Sequence, residues 1–389
     1  MFLLFYFWIL IQVVIGFNLV FPLGLLMLRT IRKLFIKVEK TDEAMQPVKR
    51  DYAIVVTAYL YTDFISSAVE SLLQLNYSNY IIYVVADNCD TTGLHFDSDK
   101  VVLLKPKYAL GANVRSHLHA IDNFIRPHTH ITIIDCDNTT HPEYLNQLNV
   151  CFDNGFQAVQ GLRAAKNLDT NYACLDAARD IYYHFYDGKI LFESGSSATL
   201  SGSGMAFKID FYSEAFKTYR PGGAGFDKVL QFNIVKLKLR IAFNEHAIVY
   251  DAKTTHAEQL VNQRARWINS WFRFFKYGFT LIGRGVANFS WKQFIFGVVL
   301  LRPPLFMFLL GSVLFFLINC IVSPIIAGVW LLAMICFVVS FGISLVSSNT
   351  DKRVYASLKN IPRFIFYQLV SLWNMRKANK LSVATKHTS

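Results

Sequence analysis

The chain has 389 residues, 53% of them hydrophobic and 15% aromatic, with a formal net charge of +12. A mean hydropathy of +0.31 excludes an ordinary soluble protein, and the length allows one sizeable soluble domain plus membrane segments. The basic balance does not read as nucleic-acid binding, because lysines and arginines crowd beside apolar runs instead of forming one basic module, a placement that anionic lipid explains better. The six cysteines contain no C-x-x-C pair, so reduced thiols fit them and a disulfide framework or a zinc site does not.

Residues 1–28 hold no charged side chain, and Arg29, Arg32, Lys33, Lys37 and Lys40 follow. That length suffices to cross a bilayer. A signal peptide would carry its positive charge before the apolar run, whereas here it comes after. The expectation is a retained anchor at 1–28, with its N-terminus outside and a basic linker, 29–49, in the cytoplasm. Pro22 and Gly24 are placed to kink its end.

Residues 50–262 have the composition of a soluble α/β domain. Tyr52–Thr57, Tyr80–Ala86, Lys100–Lys105 and Ile131–Ile134 read as strands, and Asp63–Leu75 and Asn113–Phe124 as helices. Alternation in this rhythm predicts a doubly wound, mostly parallel sheet. Ser201–Gly204 and Pro221–Gly225 read as flexible loops. Over 263–302 the pattern turns aromatic and basic, and Trp267–Arg284 is expected to form one interfacial helix. No charged residue stands between Arg302 and Asp351, which predicts a membrane hairpin within 303–348: spans Pro304–Val322 and Ile325–Val346, turning at Ser323-Pro324. The tail, 349–389, is basic and so expected in the cytoplasm, with Ile361–Trp373 along the membrane surface.

Strand ends carry the chemistry, since ligands of open α/β sheets bind there. Asp135 and Asp137 leave a strand one residue apart, as two hard oxygen ligands suited to Mg²⁺ or Mn²⁺ and a diphosphate, or as a plain solvated turn. Asp87, also at a strand end, can accept from a nucleobase N–H or cap a helix. Asp227 follows a glycine-rich loop and can serve as general base or as a helix cap. Gln263, Arg266 and Trp267 share one helical face, where amide, guanidinium and indole can hold a sugar and a diphosphate. Gly202 and Gly204 let backbone approach an acceptor, or make a turn. Gln160–Arg163, Lys166, Asn167 and His256 are weaker candidates, and the pairs His117/His119 and His128/His130 lack a third metal ligand.

The span from about 50 to 285 resembles the catalytic domain of a membrane-bound family 2 glycosyltransferase with a GT-A fold, in the branch of chitin, hyaluronan, cellulose and poly-N-acetylglucosamine synthases. The matching pieces are IVVTAY at 54–59, VVADNCDTT at 84–92, IIDCDN at 133–138, LSGSGMAFK at 200–208, GFD at 225–227 and QRARW at 263–267. The resemblance implies inverting transfer from a nucleotide-sugar, with a UDP-sugar expected, to a growing polysaccharide at the cytoplasmic face of a bacterial-type inner membrane. A membrane lipid is the alternative acceptor, and a non-catalytic scaffold or export subunit a further one. It also implies that Thr57, Tyr59, Asp87 and Asp135 contact the nucleotide and that Asp135 and Asp137 hold the metal. Asp227 would be the base, and Gln263, Arg266, Trp267, Gly202 and Gly204 would meet acceptor and diphosphate. The chain departs from the pattern at Leu60-Tyr61, where Asn-Glu is usual, and at Phe226, where Glu is common. With three spans, a polymer channel would need further copies or an export partner.

Overall fold

The structure is a computed structural model that describes residues 2–35, 50–216 and 225–378. Most of the basic linker (36–49, with Lys37 and Lys40), the loop 217–224 and the tail end 379–389 lie outside the described residues.

Among the described residues the α/β domain is built on one sheet of eight strands. These are β1 (Tyr52–Tyr59), β2 (Tyr80–Asp87), β3 (Val101–Leu104), β4 (His130–Asp135), β5 (Thr139–Thr140), β6 (Ala158–Ala165), β7 (Met205–Lys208) and β8 (Ile241–Asp251). Their order is β3-β2-β1-β4-β7-β6-β8-β5. β1 and β2 are buried almost throughout, as continuous apolar strands covered on both faces should be. One face packs on α2 (Ile65–Leu73) and α4 (Tyr144–Asp153). The other packs on α3 (Asn113–Asp122), α7 (Ile209–Phe216) and α8 (Phe226–Lys236). Between β6 and β7 the chain makes α5 (Asn171–Tyr183), a π-helical stretch His184–Ile190 and the short α6 (Leu191–Glu193).

The sheet is mostly parallel, but β7 runs antiparallel between β4 and β6, and β5 antiparallel to β8. β7 reverses because it starts at the carboxyl edge, out of the turn Ser201–Gly204. In that turn Gly202 and Gly204 take φ of 92° and 67°, a region that glycine reaches without strain.

Among the described residues, three helices are long and apolar enough to cross a membrane: α1 (Phe2–Phe35) over Tyr6–Phe35, α12 (Leu305–Val322) and α13 (Pro324–Ser347). They pack together through Leu19, Phe308, Phe315, Trp330 and Phe337. A buried polar node crosses this bundle, where Gln12 Oε1 accepts from Asn319 Nδ2 at 2.7 Å and Trp330 Nε1 at 3.0 Å. Past the apolar run, Arg29 and Lys33 of α1 pair with Glu193, tying the anchor to the α/β domain.

The expected single interfacial helix is two. α9 (Ala257–Phe274) starts ahead of QRARW, and α10 (Tyr277–Ala287) follows after a break and folds back on α11 (Trp291–Leu301). The backbones of α10 and α11 approach closely at glycines: a Cβ at Gly278 would lie 2.6 Å from the Gly297 carbonyl oxygen. After α14 (Lys352–Ser357), α15 (Ile361–Ala378) packs along α9, so the tail helix is part of the protein's own packing.

Candidate active site

Parallel pairing sets Thr57 opposite Asp135 and Tyr59 opposite Asp87, so three strand ends meet at one edge. A cavity of about 640 Å³ opens there. Thr57, Tyr59, Asp87, Asp135, Asp137 and Gly202 line it at the sheet edge, and Asp227, Gln263, Arg266 and Trp267 from the helices. Gly204 does not: its backbone serves the sheet, donating to Ile133 and accepting from Gly161. Gln160 and Gly161 are also structural. The Gln160 amide holds the turn at Ser201–Gly204, and a Cβ at Gly161 would collide with the Ala247 carbonyl. Asn167 bonds the Lys253 backbone and His256 sits at the start of α9, both away from the cavity.

Asp87 is buried with both oxygens engaged, accepting from the Leu110 N–H at 2.7 Å and the Gly111 N–H at 2.8 Å. It fastens the loop before α3 to the sheet edge, and a carboxylate still has lone pairs left for a base. Beside it, Leu60 adopts φ 68°, an outlier for a bulky side chain. The bend brings Tyr61 and Asp63 to the cavity wall, although Asp63 is out of register with the family pattern.

Burial and then the neighbouring Asp137 push the Asp135 carboxyl up to about 7, against the pull of Arg163. Its backbone N–H donates to Ser203 Oγ at 3.1 Å. The fully buried Asn138, with its amide turned to satisfy both ends, donates to Asp137 at 2.9 Å and Asp251 at 3.1 Å and accepts from Ser203 Oγ. Behind the acidic pair lies a charge network: Asp251 pairs with Arg163 at 2.8 Å and Lys253 at 2.7 Å, and Asp180 pairs with Lys253 and Arg179. Burial alone would raise Asp251, but Arg163 and Lys253 outweigh it and hold the carboxyl at about 2.

On α9 the whole QRARW run except Ala265 faces the cavity. Arg264, buried, pairs with Asp176 of α5, while its Nε and Nη1 find no hydrogen-bond partner. Arg264 lies 4.1 Å and Arg179 4.4 Å from the Trp267 ring centroid, which fixes the indole by cation–π contact. Asp227 stands in the first turn of α8, behind Gly225 at φ 97°, and its Oδ2 is 3.1 Å from Lys228 Nζ.

The sequence model of the family described as glycosyltransferase like family 2 matches residues 49–270, more than half of the chain. The protein belongs to glycosyltransferase family 2. Its α/β unit is a GT-A domain carried with three candidate membrane helices. Among solved structures, the mannosyltransferase PcManGT from Pyrobaculum calidifontis in complex with GDP-Man and Mn2+ aligns at 13% identity and a TM-score of 0.48. That alignment covers 95% of this chain and 96% of that one. The S. aureus TarS 1-349 structure in complex with UDP-GlcNAc aligns at 12% identity and a TM-score of 0.42, over 85% of this chain and 90% of that one. Both scores are under one half, so nothing about this chain's substrate follows from them. No curated protein matches the sequence.

Among the described residues no group of three or more His, Cys, Asp or Glu side chains is arranged to hold a metal. The family 2 domain offers instead the two carboxylates Asp135 and Asp137, one of them raised by burial and like charge. That donor set fits a cation that takes its remaining ligands from water and phosphate, as Mg²⁺ does. The sequence reading missed Asp251, Lys253, Arg179, Asp180 and Arg264. Arg264, inside the QRARW run, was the one signal on offer; the others are single charges on separate elements.

Proposed function

We propose that the protein is an inverting glycosyltransferase that moves a hexosyl or N-acetylhexosaminyl group from a nucleotide-sugar, most simply a UDP-sugar, to a lipid acceptor at the membrane. The observation that carries this reading is the continuity of the cavity. It runs from the carboxylates at the sheet edge to Val299, Leu300, Pro303, Pro304, Leu305 and Phe306, at the foot of the membrane helices. A lipid could enter there with its head toward Asp227 and its tail in the apolar layer.

Thr57, Tyr59 and Asp87 would receive the nucleoside, and Arg266 with the free N–H groups of Arg264 would face the diphosphate. Asp227 would accept the acceptor hydroxyl proton as its oxygen bonds to the anomeric carbon and the bond to the diphosphate oxygen breaks. Trp267, braced by two guanidinium groups, would hold the sugar ring so that attack and departure stay in line. A divalent cation, Mg²⁺ or Mn²⁺, bound by Asp135 and Asp137, would supply Lewis-acid neutralisation of the leaving group. The basic residues at 29–33 and 352–353 favour a cytoplasmic position for the domain, as in a bacterial-type inner membrane.

A second reading, a growing polysaccharide as acceptor, is favoured by Trp271. It lines the same cavity beside Trp267 and has its indole N–H buried without a partner, which suits a further sugar unit.

The test is nucleotide release by the full-length protein in lipid, across UDP- and GDP-sugars with Mg²⁺ or Mn²⁺. One donor should turn over, and Asp137→Ala and Asp227→Asn should each lower the rate by at least about 100-fold. A single glycolipid product fits the lipid acceptor and a ladder of chain lengths the polymer. No turnover and no binding of any donor would leave the scaffold reading.

A further inference from the structure

A second concavity, of about 440 Å³, lies where the basic end of α1 meets the tip of the α10–α11 hairpin. It shares no lining residue with the catalytic cavity. Arg32, Lys238, Arg240 and Lys292 line it, with no acidic side chain among the described residues. Arg240 is held in place, its Nε and Nη2 donating to the Ser196 and Phe192 carbonyls at 2.6 Å each. Lys292 Nζ donates to the Lys238 carbonyl at 2.8 Å. Arg32 passes over Gly195, where any Cβ would collide with its guanidinium. Cations packed this way oppose one another. Burial, then Arg240 and Lys238, lower the Lys292 ammonium, and burial, then Arg32, bring Arg240 down to about 10. Among the described residues no anion balances this cluster.

Three further observations point to what carries the anion. Ser290 lines the concavity with its Oγ buried and without a hydrogen-bond partner. Phe289 stands 98% exposed at φ 48°, where glycine or asparagine would be less strained, and Trp291 beside it is 44% exposed. A soluble anion has no use for those rings, whereas a membrane interface does. The depth also matches. α1 is 34 residues long and a span takes about 20, so Arg32 falls beyond the hydrocarbon, at the headgroup level.

We propose that this concavity binds the phosphate of an anionic phospholipid headgroup, with Phe289 and Trp291 seated in the adjoining lipid. The site holds the α10–α11 hairpin to the bilayer beside the anchor and stands independently of which acceptor the enzyme uses.

Native mass spectrometry of the full-length protein in detergent, titrated with phosphatidylglycerol or phosphatidylcholine, tests this. Wild type should retain phosphatidylglycerol selectively. Lys238→Gln with Lys292→Gln should weaken that retention by about tenfold or more, and the paired Arg substitutions should restore it. Phe289→Asn, which eases the backbone and so leaves folding intact, should also lower retention. Equal retention of the two lipids by wild type would overturn the proposal, as would phosphatidylglycerol retention unchanged in the Gln pair or in Phe289→Asn. Displacement of the lipid by millimolar inorganic phosphate would instead mark a site for soluble phosphate and overturn it too.

Discussion

Trp267 depends on neighbours that its motif does not name. Arg264 and Arg179 lie over its ring, and Arg264 in turn is buried against Asp176. Arg264→Ala leaves the buried Asp176 with only its longer contact to Arg179, at 3.5 Å, and is expected to cost about 1–3 kcal/mol, read as a lower unfolding temperature and poorer yield. Replacing both partners, Asp176→Leu with Arg264→Met, should recover most of the stability while turnover stays low. Full activity in that double variant would remove Arg264 from the site. The buried histidines predict how stability varies with pH. Burial pushes His117 and His130 down to about 3, whereas an unfolded histidine titrates near 6.5. Below 6.5 the unfolded chain therefore takes up protons that the folded chain refuses, so stability is full above 6.5 and is lost as pH falls towards 3. The slope is up to about 1.4 kcal/mol per pH unit for each histidine. His117→Asn, which keeps an acceptor or donor near Tyr212, should flatten melting curves between pH 7 and 5; an unchanged slope would contradict this.

Among the secondary-structure elements, legibility followed burial and length. β1, β2 and β4 announce themselves because each is an apolar run covered on both faces. β7, at four residues, and β8, interrupted by Asn244-Glu245-His246 where the pairing register shifts, carry too little local pattern to be read. The break between α9 and α10 was hidden for a related reason: aromatic and basic residues continue through it, and only packing against α11 turns the chain. Gly297→Ala tests that packing. The new Cβ would lie 2.8 Å from the Gly278 carbonyl oxygen, so a loss of about 1–3 kcal/mol is expected. A neutral effect on the melting temperature would mean that the hairpin is loose.

The membrane helices meet the α/β domain where α1 pairs with Glu193 and again at the mouth of the catalytic cavity. There Arg302, the last charge before the hairpin, pairs with Asp187 of the π-helical stretch at 2.6 Å. If the acceptor is a lipid, Leu305→Trp should obstruct its entry. Transfer to lipid should then fall by at least about tenfold, while slow release of nucleotide to water stays unchanged. Equal loss of both would place Leu305 in donor binding instead. Within the bundle, Gln12→Leu should cost only about 0.6 kcal/mol, since hydrogen bonds between membrane helices are worth little more than their alternatives.

Sequence alone was enough to locate the three apolar spans and the α/β rhythm, because each rests on charge and periodicity within neighbouring residues, and its family motifs singled out Asp87, Asp135, Asp137 and Asp227, which line one cavity. It could not place the charges that surround them. Arg163, Asp176, Arg179, Asp180, Asp251, Lys253 and Arg264 come from β6, α5, β8, the segment after β8 and α9, and Arg264 reaches Asp176 across 88 positions of chain. A buried charge is tolerable only when the fold brings it a partner, and that pairing is a property of packing, with no trace in local pattern.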